Sequence, residues 1–183
     1  MPTTAGRIEV LLDSATIQAR IAVLAREITT DYGNEDLLLV GVLKGSFLFL
    51  TDLCRLLGSN VQIDFVQTSS YGAEKSASGI VQIRKDLDIN IEGKNVLIVE
   101  DIVDTGATLG HLRELLSTRK PKTLKVVSLL SKPEARTMET PVEYLGFEIP
   151  NKFVVGYGLD YAERYRNLPY IAILHEGEPH LKP

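Results

Sequence analysis

The 183-residue sequence predicts an α/β fold in which a mostly parallel sheet is flanked by helices. Strand-like and helix-like segments alternate along the chain, which is the order that parallel strands with helical crossovers produce. Two strand-like segments, LLLVGVL (37–43) and VLIV (96–99), contain no polar side chain, as strands covered on both faces do. The sequence shows neither a repeat nor a linker-like tract, and we therefore expect residues 1–183 to form a single domain.

The first helix is predicted between Asp13 and Gly33. Asp13 and Ser14 are good N-cap residues, and Gly33 is a typical residue for the end of a helix. Apolar residues recur every three or four positions between these limits, at Ile17, Ile21, Leu24 and Ile28. This spacing predicts one buried face.

The elements that follow alternate between buried strands and helices. After strand 37–43, the segment SFLFLTDLCRLLG (46–58) predicts a helix that ends at its last glycine. The segments VQIDFVQT (61–68) and IVQIRK (80–85) alternate as half-buried strands do, and the polar segment SSYGAEKSASG (69–79) separates them.

The second half of the chain continues the pattern. The segment NVLIVE (95–100) predicts a buried strand, and ATLGHLRELLSTRK (107–120) predicts a helix. Three further strands are expected to complete the same sheet: LKVVSLL (124–130), FVVGYG (153–158) and YIAIL (170–174).

Bulk composition excludes several classes of protein. The net charge of −4 does not favour a nucleic-acid partner, whose binding surfaces are usually basic. No apolar stretch approaches the ~20 residues of a membrane span, and no signal peptide is evident, so we expect a cytoplasmic protein with no membrane partner. Cys54 is the only cysteine, which excludes an intramolecular disulfide, and it is expected in the core.

The end of the predicted strand 95–100 carries an unusual concentration of negative charge. Glu100, Asp101 and Asp104 lie within five positions, and Thr105 and Gly106 follow them. Ligands of open α/β sheets bind beyond the carboxyl ends of the strands, which places these acids at a ligand crevice. A solvated acidic loop is the simpler interpretation, but it does not require the threonine- and glycine-rich turn.

That turn supplies the first N–H groups of a helix, which form a ready site for an anion such as phosphate. Carboxylates for hydroxyl groups or a metal therefore lie close to donors for a phosphate, and a phosphorylated sugar needs both. The segment GVLKGS (41–46) lacks the length and residue order of a P-loop, and no dinucleotide-binding glycine motif occurs.

The segment VLIVEDIVDTGATL (96–109) closely resembles the phosphoribosyl diphosphate (PRPP) signature of type I phosphoribosyltransferases. Further segments resemble the hypoxanthine-guanine phosphoribosyltransferase family in its bacterial form. They correspond to its pyrophosphate loop, catalytic loop, base-recognition lysine and purine-binding section: VGVLKGSFLF (40–49), TSSYG (68–72), LLSKP (129–133) and FEIPNKFVVGYGLDYAERYRNLPY (147–170). The resemblance extends from about residue 8 to residue 175.

The resemblance implies a purine salvage reaction in which hypoxanthine or guanine reacts with PRPP to give IMP or GMP and pyrophosphate. It also implies a core over about residues 8–150, with a small hood formed mainly by residues 151–183 together with the N-terminal segment. Mg²⁺ is the implied cofactor, and a homodimer or homotetramer is the expected assembly.

The same resemblance assigns roles to the acidic segment. Asp104 matches the acid that faces N7 of the purine, although from composition alone it could instead be a helix N-cap. Glu100 and Asp101 match the acids that bind the ribose hydroxyls and help to hold Mg²⁺. The 5-phosphate cradle is expected to consist of Thr105, Gly106, Ala107, Thr108 and Leu109.

The pyrophosphate group has its own set of expected residues. Lys44 and Gly45 match a loop whose Lys–Gly peptide bond is expected to be able to adopt the cis form. Arg166 and Asp160 match residues that contact pyrophosphate and, through water, a metal ion. Asp160 is accordingly a predicted metal ligand within the purine-binding section.

Lys132 matches the lysine that donates to the 6-oxo group of the purine. Phe153 matches the ring that stacks on the base, and Val154 offers backbone atoms to its edge, although Phe153 by itself is typical of a buried strand. Ser70 and Tyr71 lie in the segment expected to close over the site. The three histidines, His111, His175 and His180, match no catalytic role.

Two rival interpretations remain open at this point. A pyrimidine-binding relative of the same fold that acts as an RNA-binding regulator would share the PRPP signature. A non-catalytic sensor of a sugar phosphate would also share it. The net charge and the predicted base pocket around Lys132 and Phe153 favour the purine enzyme.

Overall fold

The computed structural model describes residues 7–58, 60–70 and 81–175. Within these ranges the protein has the predicted α/β architecture. The helices are α1 (Ser14–Tyr32), α2 (Phe47–Cys54) and α3 (Ala107–Ser117). The strands are β1 (Arg7–Leu12), β2 (Leu37–Leu43), β3 (Val61–Ser70), β4 (Val81–Lys85), β5 (Asn95–Val103), β6 (Thr123–Ser131), β7 (Tyr144–Glu148), β8 (Val154–Val155) and β9 (Ile171–His175).

The main sheet has six strands in the order β4-β3-β2-β5-β6-β7. All neighbouring pairs are parallel except β3 and β4, which pair antiparallel. These two strands lie on either side of the predicted polar segment. The sheet is therefore mostly parallel, as predicted, and its carboxyl edge lies at the ends of β2, β5 and β6.

The prediction that the segments 153–158 and 170–174 complete this sheet is wrong. They contribute β8 and β9 to a second, antiparallel sheet in the order β1-β9-β8. Only two residues of the first segment pair as a strand, because the chain turns away at Gly156 (φ +98°) and Tyr157 (φ +48°). A glycine adopts such a φ freely, whereas a tyrosine must be held there by its surroundings.

Both faces of the main sheet are covered, and the side chains of β5 show how. Leu97 and Val99 pack in a cluster with α1 and α2, whereas Val96 and Ile98 pack in a second cluster with α3. This alternation follows from the two-residue period of a strand. All four side chains are fully buried.

The first helix begins and ends where the sequence predicts. The carboxylate of Asp13 accepts a hydrogen bond from the N–H of Thr16 at 2.8 Å, which is N-cap geometry. At the other end, the N–H of Gly33 donates to the carbonyl of Thr29 at 2.8 Å. The helix α2, by contrast, is shorter than predicted and ends at Cys54, whose side chain is half-buried against the core.

The second sheet packs on the α1–α2 side of the main sheet. Val154, Tyr157 and Ile171 belong to the same buried cluster as α1 and α2. Among the described residues, no helix is long and apolar enough to cross a membrane.

Candidate active site

The strand β5 is longer than predicted and carries the acidic residues within it. It pairs with β6 as far as Val103, with Glu100 opposite Ser128 and Val103 opposite Ser131. The predicted end at residue 100 was therefore three residues early. Because successive side chains point to opposite faces, the backbone of β5 itself fixes the different orientations of Glu100 and Asp101.

A cavity of about 300 Å³ opens at the carboxyl edge of the main sheet. It is lined by the ends of β2, β3 and β5, by the turn into α3 and by the segment after β8. Its lining residues are Val42, Leu43, Lys44, Gly45, Thr68, Glu100, Asp101, Ile102, Val103, Asp104, Thr105, Gly106, Thr108, Leu109, Asp160 and Arg166. Most of the residues predicted to bind ribose, phosphate and pyrophosphate therefore lie around one cavity.

Glu100 and Asp101 are adjacent acids, of which Glu100 is buried and Asp101 is partly buried. Glu100 is 8% exposed, and its Oε2 has no hydrogen-bond partner among the described residues. Burial, reinforced by the neighbouring Asp101, raises the pKa of Glu100 well above its usual value. Burial also raises the pKa of Asp101 to about 6, although the N–H of Ile102 donates to its carboxylate at 2.9 Å.

Asp101 packs directly against the loop between β2 and α2. A Cβ atom on Gly45 would overlap the Asp101 carboxylate, and one on Gly158 would overlap the Gly45 carbonyl. Gly158 also has a positive φ of 102°. Glycine is therefore required at both positions, because the acidic strand, the predicted pyrophosphate loop and the C-terminal section meet there without room for side chains.

The cis peptide bond of this loop lies between Leu43 and Lys44. The resemblance implied that the Lys44–Gly45 bond can adopt the cis form, whereas the bond that is cis in the structure is the preceding one. The sequence alone does not distinguish the two bonds, because neither involves proline, the only residue for which the cis form is common.

The turn into α3 has the geometry expected of an anion site. The helix begins at Ala107, and its N-cap is Gly106, which has a φ of +86° and no side chain that could cap the helix. The first N–H groups of a helix have no partner within the helix, and they carry the positive end of its dipole. The interpretation of Asp104 as the N-cap of this helix is wrong, since Asp104 lies two residues earlier.

Asp104 instead pairs with Lys132 from the end of β6. The Nζ atom of Lys132 lies 3.2 Å from Oδ2 of Asp104. Lys132 is 7% exposed, whereas Asp104 is exposed to the cavity. The predicted purine-facing acid and the predicted base-reading lysine, 28 positions apart, are thus in direct contact.

Phe153 immediately precedes β8 and is 49% exposed. Its ring meets that of Tyr161 edge to face, with centroids 5.7 Å apart. A buried strand position, the alternative that the sequence alone favoured, is therefore wrong for Phe153. Val154, the next residue, is buried and pairs with Ile173 of β9.

Lys44 and Arg166, predicted to bind pyrophosphate, share an acidic neighbour. Nζ of Lys44 lies 2.8 Å from Oε2 of Glu163, and Nη2 of Arg166 lies 3.4 Å from the other carboxylate oxygen. Arg166 also pairs with Asp160 at 2.8 Å. The hydrogen bond from Lys44 lowers the pKa of Glu163, which is ionised at neutral pH.

Sequence reasoning missed two residues of this region. Glu163 lies within the segment 147–170 but is one of several charges there, and its partner Lys44 is 119 positions away. Thr68 lines the cavity from β3; it is the first residue of the segment TSSYG (68–72), but no role was predicted for it.

The donor set fits a divalent cation that is held mainly by a substrate. In the described part of the chain, no group of three or more histidine, cysteine or acidic side chains could enclose a metal by itself. The predicted ligands Glu100, Asp101 and Asp160 line the same cavity without forming such a cluster. This arrangement suits Mg²⁺, which in nucleotide enzymes is held by one or two carboxylates together with substrate phosphates.

Some of the predicted residues lie at the edge of the described ranges or outside them. Ser70 is the last residue of β3, but its side chain and all of Tyr71 lie outside the described residues, as does His180. His175 lies on the surface within 2.9 Å of Glu9, and His111 is exposed on α3, both outside the cavity as expected.

Comparison with known proteins identifies the class to which this site belongs. Residues 8–162 match the family model of the phosphoribosyl transferase domain. The chain therefore belongs to the phosphoribosyltransferase family.

Individual relatives are purine enzymes by name. The hypoxanthine phosphoribosyltransferase of Escherichia coli K12 is 54% identical over 166 residues, which cover 90% of this chain and 93% of that protein. The hypoxanthine-guanine phosphoribosyltransferase of Dictyostelium discoideum is 52% identical over 172 residues, which cover 92% of this chain and 96% of that protein. The crystal structure of a hypoxanthine-guanine phosphoribosyltransferase from Bacillus anthracis superposes with a TM-score of 0.88 at 46% identity, over 92% of this chain and 100% of that one.

Proposed function

We propose that this protein is a purine salvage enzyme, which transfers the 5-phosphoribosyl group of PRPP to N9 of hypoxanthine or guanine. The products are IMP or GMP and pyrophosphate. The observation that carries the proposal is the meeting of three groups at one cavity: the acids of β5, the N-terminal turn of α3, and Asp104, which contacts Lys132. The names of the similar proteins support the same reaction.

The ribose phosphate lies along the end of β5. Its 5-phosphate binds the N–H groups at the start of α3, with Thr105 and Thr108 at the cavity wall. Its 2- and 3-hydroxyls donate to Glu100 and Asp101. The unpartnered Oε2 of Glu100 is an acceptor that such a hydroxyl group would satisfy.

The purine lies between Phe153 and the Lys132–Asp104 pair. Nζ of Lys132 donates to the 6-oxo group, and the ring of Phe153, half exposed in the free protein, stacks on the base. Asp104 faces N7 and handles the proton that the purine loses as N9 forms its bond to carbon 1 of the ribose. The carboxylate of Asp104 lies 3.2 Å from Lys132 and also lines the cavity, so a bound purine can reach it.

Pyrophosphate leaves toward Lys44 and Arg166. Both cations lie at the cavity, and both now contact the carboxylate of Glu163, which a more highly charged pyrophosphate displaces. Mg²⁺ bound with PRPP would neutralise charge on the leaving group, and Glu100 and Asp101 would help to hold it, with Asp160 as a further ligand through water. The contact between Gly45 and Asp101 keeps the leaving-group loop next to the ribose site.

The test is a panel of bases supplied with PRPP and Mg²⁺, with nucleotide products separated by chromatography. We expect IMP from hypoxanthine, GMP from guanine, and no product when EDTA replaces Mg²⁺. UMP from uracil, or PRPP binding with no nucleotide from any base, would overturn the proposal and favour a pyrimidine-type relative or a sensor. The predicted cytoplasmic location and the homodimeric or homotetrameric assembly stay predictions.

Base selectivity is expected to depend on Lys132, since an ammonium group has only donors and cannot accept from the 6-amino group of adenine. Lys132→Gln should greatly lower kcat/KM for hypoxanthine. It should also narrow the difference in kcat/KM between hypoxanthine and adenine, because a glutamine amide can accept a hydrogen bond as well as donate one. Sites built around one substrate hydrogen bond discriminate by ~10⁴-fold or more. Lys120→Gln, a change of an exposed lysine beyond α3, is the control. An unchanged hypoxanthine-to-adenine ratio in Lys132→Gln would remove Lys132 from base recognition.

A further inference from the structure

The backbone of the predicted phosphate loop is held from its outer side by the segment 136–140. The carbonyl of Thr105 accepts two backbone hydrogen bonds from this segment, from the N–H of Thr137 at 3.0 Å and from that of Met138 at 3.1 Å, and a third from the hydroxyl of Thr137 at 3.4 Å. The carbonyl of Gly106 accepts from Oγ1 of Thr140 at 3.3 Å. The Gly106 carbonyl also accepts the first helical hydrogen bond of α3, from the N–H of Gly110 at 2.9 Å. Both carbonyl groups of the loop therefore accept from one short segment more than 30 positions later in the chain, and that of Gly106 accepts from the helix as well.

The packing between the two segments is tight. A Cβ atom on Gly106 would lie 2.5 Å from the Met138 carbonyl oxygen, and one on Gly110 would lie 2.6 Å from the Met138 sulfur and 3.2 Å from Oγ1 of Thr140. Thr140 is itself 6% exposed. Glycine at both positions allows the segment 136–140 to approach the loop and the first turn of α3 this closely.

Arg136 fixes the shape of this segment. Its Nη1 donates to the carbonyl of Thr140 at 3.2 Å, and its Nη2 donates to Oγ of Ser131 at 3.0 Å. Ser131 is the buried last residue of β6, one position before Lys132. The guanidinium group thus ties the far end of the segment back to the strand that carries the predicted base-reading lysine.

These contacts, together with the helical hydrogen bond from Gly110 to Gly106, orient the N–H groups of the loop. The C=O and N–H of a trans peptide unit lie on opposite sides of the chain. When the carbonyls of Thr105 and Gly106 are turned toward the segment 136–140, the N–H groups of Gly106 and Ala107 are turned away from it. The N–H of Ala107 then lies 3.3 Å from Oγ1 of Thr105, which lines the cavity. Thr105 and Gly106 line the cavity, so that is the side on which a phosphate would bind.

We infer that Thr140 and Arg136 are positioning residues for the 5-phosphate, which act through the backbone of Thr105 and Gly106 and do not touch the substrate. The inference rests on the proposed function, since it assumes that the 5-phosphate binds this loop. It assigns a role in phosphate recognition to a segment that carries none of the predicted site residues. The hydroxyl of Thr140 is the contact that can be removed with the least change of shape.

The experiment compares the binding of IMP with that of inosine, which lacks only the phosphate, in wild type, Thr140→Val and Thr140→Ser. Thr140→Val leaves the Gly106 carbonyl with its partner Gly110, so the loss is the net value of one hydrogen bond, which corresponds to weaker binding by roughly 2- to 10-fold. We expect Thr140→Val to raise the Kd of IMP by this factor and to change the Kd of inosine by no more than about twofold. Thr140→Ser should bind both ligands as wild type does. Thr118→Val, at the exposed end of α3, is the control and should change neither.

Arg136→Lys provides a second variant if Thr140→Val does not fold. It keeps the charge but cannot reach Thr140 and Ser131 with two separate donors, and it should raise KM for PRPP while KM for hypoxanthine stays unchanged. Equal losses of IMP and inosine, or an unchanged IMP affinity in Thr140→Val, would overturn the inference and leave the proposed function standing. A wild-type protein that binds neither ligand would overturn both.

Discussion

Asp104 shows how far a single residue can be interpreted from sequence. Its spacing after the strand allowed two roles, a helix cap or a proton-handling group, and the structure removes the first because Gly106 occupies the N-cap. The pairing with Lys132 could not be deduced from spacing, since it depends on how β5 and β6 align. For the same reason Glu163 and Thr140 gave no clear signal, since each contacts a residue distant in the sequence.

We predict that Asp104→Asn lowers kcat by ~10²–10⁴-fold with a much smaller change in KM for PRPP. The reason is that a proton-handling group contributes mainly in the transition state, whereas an amide keeps its size and most of its hydrogen bonding. Steady-state kinetics measures both constants, and Asp36→Asn, at an exposed position before β2, is the control. An unchanged kcat, with pre-steady-state measurements showing that product release does not hide the chemistry, would exclude the role.

At the scale of elements, uniform apolar character was the most reliable signal. The bounds of β2 were predicted without error, because a strand buried on both faces is apolar throughout. The strands β1 and β8 were not predicted in this way. β1 is only six residues long and alternates polar and apolar residues only over its first four positions. It pairs with β9 more than 150 positions later, which local pattern cannot reveal. β8 is only two residues long.

The link between the second sheet and the helices provides a prediction at this scale. The hydroxyl of Tyr157 donates to Oδ2 of Asp52 on α2 at 2.5 Å, and Gln18 of α1 donates to the same oxygen at 2.6 Å. Tyr157 is 4% exposed and directly precedes Gly158, which packs against Gly45. The hydrogen bond thus helps to hold the C-terminal section against the predicted pyrophosphate loop.

Tyr157→Phe should lower the free energy of unfolding by about 1–3 kcal/mol, because the Asp52 carboxylate loses a donor in a partly buried setting. Urea denaturation followed by circular dichroism measures the change. Tyr170→Phe is the control, since the hydroxyl of Tyr170 makes no hydrogen bond with the described residues. Equal stability of Tyr157→Phe and wild type would show that packing alone holds this section in place.

At the scale of the whole molecule, the residue patterns predicted the layers but not the division into two sheets; a hood of residues 151–183 with the N-terminal segment was implied only by the family resemblance. Segments that are apolar throughout require cover on both faces, and this alone implies helices on either side. Which edges pair is decided by contacts across the entire chain. The site follows the same rule, because its residues come from the ends of strands that become neighbours only when the sheet forms.

Burial of two adjacent acids lowers the stability of the whole molecule at neutral pH. The pKa of Asp101 is about 6 in the folded protein, against 3.8 for an ordinary aspartate. Between these values the folded state binds the proton more tightly than the unfolded state does, so wild-type stability falls as pH rises through this window. Above about pH 6, the stability that the protonated carboxyl of Asp101 contributes to the folded state has been lost.

Asp101→Asn lacks this titration and should be more stable than wild type at pH 7.5, by at most about 3 kcal/mol, at roughly 1.4 kcal/mol per pKa unit. The difference should shrink as the pH is lowered to 4. Denaturation in metal-free buffer across this range measures it, with Asp36→Asn as the exposed control. A difference that does not change with pH would show that Asp101 titrates normally in the folded protein.

The crystal structure of the protein with bound IMP is the measurement that tests the central claim most directly. The account predicts the 5-phosphate on the N–H groups at residues 105–109, the ribose hydroxyls on Glu100 and Asp101, and the purine 6-oxo group on Nζ of Lys132 with N7 facing Asp104. A nucleotide bound elsewhere would contradict the account, as would one whose phosphate lies away from the start of α3 or whose 6-oxo group points away from Lys132.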